Sequence, residues 1–373
     1  MANTAQGTTT SQHAPSAARA APAASASRAG RGRLLTMLVA LSVILVVSVL
    51  AGIALGPTVV PPGDVLRFLV AAVTGGTIQA EDATGYAVVW EVRTPRVLLA
   101  SVVGAGLATV GVAVQALVRN ALADPFVLGI SSGASVGATA VVVFGVFASL
   151  GVYALSAAAF LGALGATVLV YLAARGPLGL TPLRLVLTGV ALAYGFQALM
   201  SVLVFLSPNG QAARTVLFWL LGSLGSASWE SLPLVAAGVL VMVVVLLRQS
   251  RSLDVLSMGD ETAASLGVDA ERLRRGLFVL TAAVTGLIVA VSGAIAFVGL
   301  VLPHVVRILV GSTHRRVLAV APLAGACFMV WVDLLARTAF APEELPLGVI
   351  TALIGVPVFI TLMRRRGYQF GGR

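Results

Sequence analysis

The chain has 373 residues, with 24 basic and 14 acidic side chains, 58% hydrophobic positions and a mean hydropathy of +1.02. Only 10% of positions are charged, where soluble domains carry about 25%, so a soluble globular chain and a disordered one are both excluded. What remains is an all-α, polytopic membrane helix bundle, with room for about ten crossings at roughly 20 residues each.

All 24 cations are Arg and the chain contains no Lys. A Walker-type phosphate loop needs its Lys, so the chain carries no such ATPase site, and Lys Schiff-base chemistry is excluded too. The net charge of +10 is spread over loops, which reads as membrane orientation and not as nucleic-acid binding. The single Cys327 lies in an apolar run and reads as an inert buried thiol. With only His13, His304 and His314, no His/Cys metal site can be assembled.

Residues 1–33 form an Ala/Ser/Thr tract with four Arg, expected to be a disordered cytoplasmic tail. The membrane-spanning body is expected over 34–366, with a short tail at 367–373. Ten apolar stretches are predicted as spans: Leu34–Leu55, Val97–Val118, Leu128–Phe147, Val152–Ala174, Leu185–Leu206, Leu232–Leu247, Leu277–Phe297, Leu300–Val310, Val317–Leu335 and Leu345–Met363. The first is too long for a cleaved signal peptide; the eighth is short for a crossing. With both termini inside, the arginines divide 19 inside to 5 outside, as the positive-inside rule asks. The outer five are Arg67, Arg93, Arg96, Arg214 and Arg337.

Two stretches outside the spans are long. In Pro57–Arg96, the spacing of Val65, Phe68, Leu69 and Ala72 predicts an amphipathic helix on the outer surface. In the inner stretch 248–275, Asp260 is expected to cap a helix ending at Gly267, and Asp269 a second one running to Arg275. Two such helices would make a compact knob, although composition alone favours an ordinary solvated loop.

Around the second and third spans, Arg93-Thr-Pro-Arg96 is followed by Gly104, Gly106 and Gly111, small residues that let helices approach closely. Then come Gln115 and Arg119-Asn-Ala-Leu-Ala-Asp-Pro-Phe-Val-Leu-Gly129, followed by Ile130-Ser-Ser-Gly-Ala134. Pro125, the glycines and the paired serines mark a broken helix start, where freed backbone groups need protein or a water-filled cavity. A lined path and a structural kink both account for these residues.

Together these segments resemble the FecCD-type permeases, the membrane subunits of ABC importers for iron–siderophore complexes, haem and cobalamin. The resemblance continues through Leu187-Thr-Gly-Val-Ala191, Trp219-Leu-Leu-Gly-Ser223 and Gly259-Asp-Glu-Thr-Ala-Ala-Ser-Leu-Gly267. It extends to Gly293-Ala-Ile-Ala-Phe-Val-Gly-Leu300, Pro303-His304, Asp333, Leu345-Pro-Leu-Gly-Val349 and Gly355-Val-Pro357. Ala121 replaces a Pro usual in the family, and Ala296 a common Gly.

The resemblance implies a ten-span subunit of a bacterial plasma-membrane importer. It would pair with a second permease copy or paralogue, two cytoplasmic ATPases that hold ATP and Mg, and an extracytoplasmic binding protein. The chain itself would hold no cofactor and no catalytic site. Gly259, Asp260, Glu261, Ala263, Ala264, Leu266 and Gly267 match the family's ATPase-coupling helix. Arg93, Arg96 and Arg337 match positions that offer positive charge to carboxylates on the binding protein, although arginines at a membrane mouth also anchor to lipid phosphates. Gln115, Asn120, Pro125, Ser131, Ser132 and Gly133 are the residues expected along the path and gate. A ferric siderophore is the expected cargo, with haem or cobalamin as alternatives.

An ion-coupled secondary transporter is the rival class and would place carboxylates at mid-membrane. Here the acids fall almost wholly in loops, with Asp333 the clear exception. Asp333 and Arg337 are four apart, share a helix face and are expected to pair near the outer end, within snorkelling reach. His304, after Pro303, reads as part of a helix start.

Overall fold

In hydrocarbon every backbone N–H and C=O needs a partner within the protein, so long apolar runs fold as helices. The computed structural model describes residues 22–176, 179–207 and 210–365. Residues 1–21 and 367–373, where the two tails are expected, lie outside them. Among the described residues the chain order is α1 (Pro22–Ala54), α2 (Pro62–Thr74), α3 (Ala83–Ala87), α4 (Thr94–Val118), α5 (Ile130–Phe144), α6 (Ala154–Ala174), α7 (Pro182–Phe205) and α8 (Gly210–Leu220). There follow α9 (Leu232–Arg248), α10 (Ser250–Ser257), α11 (Asp260–Ser265), α12 (Ala270–Ser292), α13 (Val298–Val310), α14 (His314–Thr338) and α15 (Leu347–Arg365).

Every expected apolar stretch contains a helix, but length alone does not make ten crossings. Among the described residues seven helical segments are long and apolar enough to span, and α9 with α10 makes an eighth if that pair, bent by 65°, is one span. At about 1.5 Å per residue, the 15-residue α5 and 13-residue α13 reach only about 22 and 20 Å. Both are preceded by irregular backbone: a 3₁₀ turn at Pro125–Leu128 before α5, and Gly293 to Phe297 before α13. The seventh stretch was expected to stay helical to Phe297. It ends at Ser292 instead, because Gly293 takes φ 65° and Phe297 φ 68°. The tail expected to end at residue 33 is helical from Pro22.

Packing centres on α4, almost entirely buried between α14, α12, α13 and α9. Its glycines make this possible. A methyl group on Gly104 would overlap the carbonyl of Gly325 in α14, and one on Gly111 the carbonyl of Gly299 in α13. The amphipathic α2 forms as expected, burying Val65 and Phe68. Arg67 bridges Asp64 and Asp82 at 3.2 and 2.8 Å.

Three of the sequence motifs meet at one backbone junction. The Ser223 N–H donates to Ser292 O at 2.9 Å, the Leu347 N–H to Gly222 O at 3.0 Å and the Gly348 N–H to Leu221 O at 2.8 Å. Gly222, Gly293 and Gly348 are thus glycines because their backbones approach one another closely.

Candidate functional site

The stretch 248–275 is an ordered knob. α10 turns away from α9, Gly259 reverses the chain at φ 116°, and α11 makes a turn and a half before Gly267 at φ 78°. The Gly267 N–H donates to Ala264 O and the Val268 N–H to Ala263 O at 2.8 Å, closing the helix with a left-handed residue as glycine permits. Ala263 is buried, while Glu261, Ala264, Leu266 and Met258 face outward.

Asp260 does not cap this helix as expected: Gly259 holds the N-cap position. The Asp260 carboxylate accepts instead from Arg274 of α12 and lies 3.4 Å from Arg119, just past the end of α4. The bond from Arg274, helped by the charges of Arg274 and Arg119, holds its carboxyl below the usual range. Asp269 does cap, accepting from the Arg272 N–H at 2.9 Å. The helix it opens, however, is no separate knob helix but α12 itself, which runs on to Ser292.

The six expected path residues fall into three places. Gln115 and Asn120 line a pocket of about 200 Å³ with Arg119, Ser257, Arg307 and His314. Gln115 is buried, donates to Leu300 O at 3.2 Å and accepts from Arg307. Asn120 accepts from the Leu122 N–H at 2.9 Å, an Asx turn that stands in for the missing Pro. Pro125 packs on Gly299, 3.1 Å from where a side chain there would begin. Gly133 lies against Gly162 and Ala166 of α6, so it is a helix-packing residue within the chain. Ser131 is buried beside it with its hydroxyl unpaired among the described residues, and Ser132 is partly exposed.

Asp124 was passed over in the sequence and joins the two broken spans. Its carboxylate accepts from the Phe126 N–H at 2.8 Å, which starts the 3₁₀ turn before α5, and from the N–H of Phe297, which starts α13. Burial pushes the carboxyl up to about 6, against the pull of those two N–H groups.

The three outer arginines are not free cations. Arg93, Arg96 and Arg337 are 4%, 7% and 4% exposed. Arg96 holds Asp333 at 2.8 Å and Glu344 in a fork at 2.8 and 2.9 Å. Arg337 lies 3.0 Å from Asp333 and donates to Gly52 O at 3.0 Å. Arg93 donates to the carbonyls of Ile53, Ala54 and Thr58. The expected Asp333–Arg337 pair is present, but Asp333 is fully buried and does not snorkel. Within this chain the three cations expected to face a partner are held by partners of its own. Guanidinium groups at the ends of apolar helices are buried only when paired, and here this chain supplies the pairs.

Residues 44–365 match the FecCD transport family. The chain belongs to that family. It is 41% identical over 287 residues to the hemin transport permease HmuU of Yersinia pestis, covering 76% of this chain and 85% of that protein. The vitamin B12 import permease BtuC of Klebsiella pneumoniae is 38% identical, with coverage of 88% and 94%. The Fe(3+) dicitrate permease FecD of Escherichia coli is 39% identical, with coverage of 75% and 86%. A solved structure described as an inward-facing metal-chelate type ABC transporter superposes with a TM-score of 0.77 at 33% identity, covering 89% of this chain and 99% of that one. The chain is thus a multi-pass permease subunit of an ABC importer and not an enzyme.

Within that family frame the knob and the pocket have a clear relation. Arg119 lines the pocket and contacts Asp260 of the knob, so one side chain touches both.

Proposed function

We propose that this FecCD permease imports a bulky metal chelate, a ferric siderophore, along an interface with a second permease chain. Two cytoplasmic ATPases dock on Gly259–Gly267, and an extracytoplasmic binding protein delivers the cargo. The protein sits in a bacterial plasma membrane with both termini inside, a placement supported by the 19 to 5 division of arginines.

The observation that carries the coupling role is Asp260. It joins an outward-facing helix, which bears exposed Leu266 and Glu261, to α12 through Arg274 and to the end of α4 through Arg119. A push on α11 is thereby delivered to the helix carrying Gln115. At the outer face, Glu344 is the exposed member of the arginine network, with 42% of its side chain accessible. An incoming carboxylate docks there by replacing Glu344 on Arg96.

The relatives named above carry haemin, vitamin B12 and ferric dicitrate, all large metal complexes, which supports the cargo class. Haem and cobalamin remain the alternative cargoes of the same machinery. The test is uptake into proteoliposomes holding this permease, its ATPase and its binding protein, with labelled ferric siderophore, haemin and cobalamin offered together. Preferential ferric siderophore uptake is expected. Uptake of haemin or cobalamin alone would change the cargo, and ATP-independent uptake would overturn the importer reading.

A further inference from the structure

One cleft in the described chain belongs to none of these sites. It measures about 530 Å³ and lies between the Arg33–Ala40 part of α1, the end of α13 and the start of α14. Its walls are apolar, formed by Leu34, Met37, Ala40, Leu309 and Val310, and its mouth carries Arg33 and Arg316. Both guanidinium groups are exposed, and neither has an ion-pair partner among the described residues.

Two features make this arrangement incomplete by itself. Unpaired like charges share one mouth and repel. In addition, α14 opens with His314-Arg315-Arg316 and has no acidic residue in its first turn, although a helix N-terminus favours negative charge. The one carboxylate joined to this turn is Asp254, and it is committed to His314, accepting from its backbone N–H at 2.9 Å and lying 2.7 Å from Nδ1. From Leu35 to Leu50 one face of α1 is exposed apolar surface, so the cleft opens beside the hydrocarbon at the level where head groups begin.

We propose that this cleft binds an anionic glycerophospholipid of the adjoining leaflet. Its phosphate sits between Arg33 and Arg316, and its first methylenes lie on Leu34, Met37 and Leu309. The volume is within the usual range for a ligand pocket, and basic pockets between membrane helices are a known form of head-group recognition. This assignment rests on the membrane reading alone and is independent of the cargo.

The test is native mass spectrometry of the full chain in detergent, titrated with phosphatidylglycerol or phosphatidylcholine. The wild-type protein is expected to retain phosphatidylglycerol in preference to phosphatidylcholine, a comparison that needs no variant. Arg33→Gln and Arg316→Gln are each expected to weaken retention by about fivefold, and the double variant by about thirtyfold. Arg315→Gln, which removes a neighbouring charge outside the cleft, is expected to leave retention within about twofold. Equal retention of the two lipids by the wild type would overturn the proposal. So would an Arg315→Gln loss as large as that of Arg316→Gln, which would indicate diffuse attraction. Displacement by inorganic phosphate at the same concentration would show an anion site without a lipid requirement, and would also refute it.

Discussion

Asp333→Asn tests the buried ion network most sharply. The carboxylate is fully buried and shared, with Arg96 Nε at 2.8 Å and Arg337 Nε at 3.0 Å. Two charges about 4 Å apart at an effective dielectric of about 20 attract by roughly 4 kcal/mol, so two such contacts are lost at once. Arg96 keeps Glu344, while Arg337 keeps the Gly52 carbonyl and the charge of Glu344, with the Arg93 cation nearby. Breaking a buried pair from one side costs about 3–5 kcal/mol, and that loss is expected here. Glu344→Gln removes a partner with 42% side-chain exposure, so about 1 kcal/mol or less is expected. Unfolding by sodium dodecyl sulfate in mixed micelles, followed by circular dichroism, measures both. Equal costs for the two variants, or a loss below about 1 kcal/mol for Asp333→Asn, would refute the reasoning.

Three further outcomes follow from the geometry. Gly111→Ala places a methyl group into the Gly299 carbonyl and is expected to cost about 1–3 kcal/mol, while Gly165→Ala, which meets nothing within 4 Å, costs little in the same assay. The Asp124 carboxyl is raised from 3.8 to about 6, so the native state binds the extra proton between those values. Its contribution to stability is full below pH 3.8 and is lost as pH rises through about 6. A melting temperature that falls across that window, and a flatter profile for Asp124→Asn, are expected; identical profiles would remove the effect. The purified chain, lacking Lys for a phosphate loop, is expected to show no ATP hydrolysis, and clear turnover by the isolated subunit would contradict that.

Much of the bundle was legible because hydrophobic runs of about twenty residues leave the chain few alternatives. Helix ends were less legible. The break after Ser292 depends on Gly293 meeting the Trp219 carbonyl, a contact some seventy residues distant that no local pattern announces. Asp260 matched the spacing of a helix cap, yet Arg274 and Arg119 outcompete its own backbone for the carboxylate. The internal partners of the arginines were not legible for a related reason. Their residue type and position suggested surface charge, but the partner Glu344 lies 248 residues from Arg96, and sequence spacing cannot show such a pair. Gly133 was expected along the path, and its close approach to Gly162 and Ala166 of α6 is a packing role that no local pattern announces. Asp124 carried the available signal, an acid directly before Pro125 at a broken helix, since Asp-Pro favours a capped turn.

The central claim is that ATPase work enters through the Gly259–Gly267 knob. The most direct measurement is ATP-driven uptake of ferric siderophore by the reconstituted complex carrying Gly267→Pro, compared with wild type at matched membrane insertion. Gly267 holds φ 78°, which proline at about −65° cannot adopt, so α11 is misplaced. The account predicts intact insertion and uptake abolished to background. Wild-type uptake by that variant would contradict it.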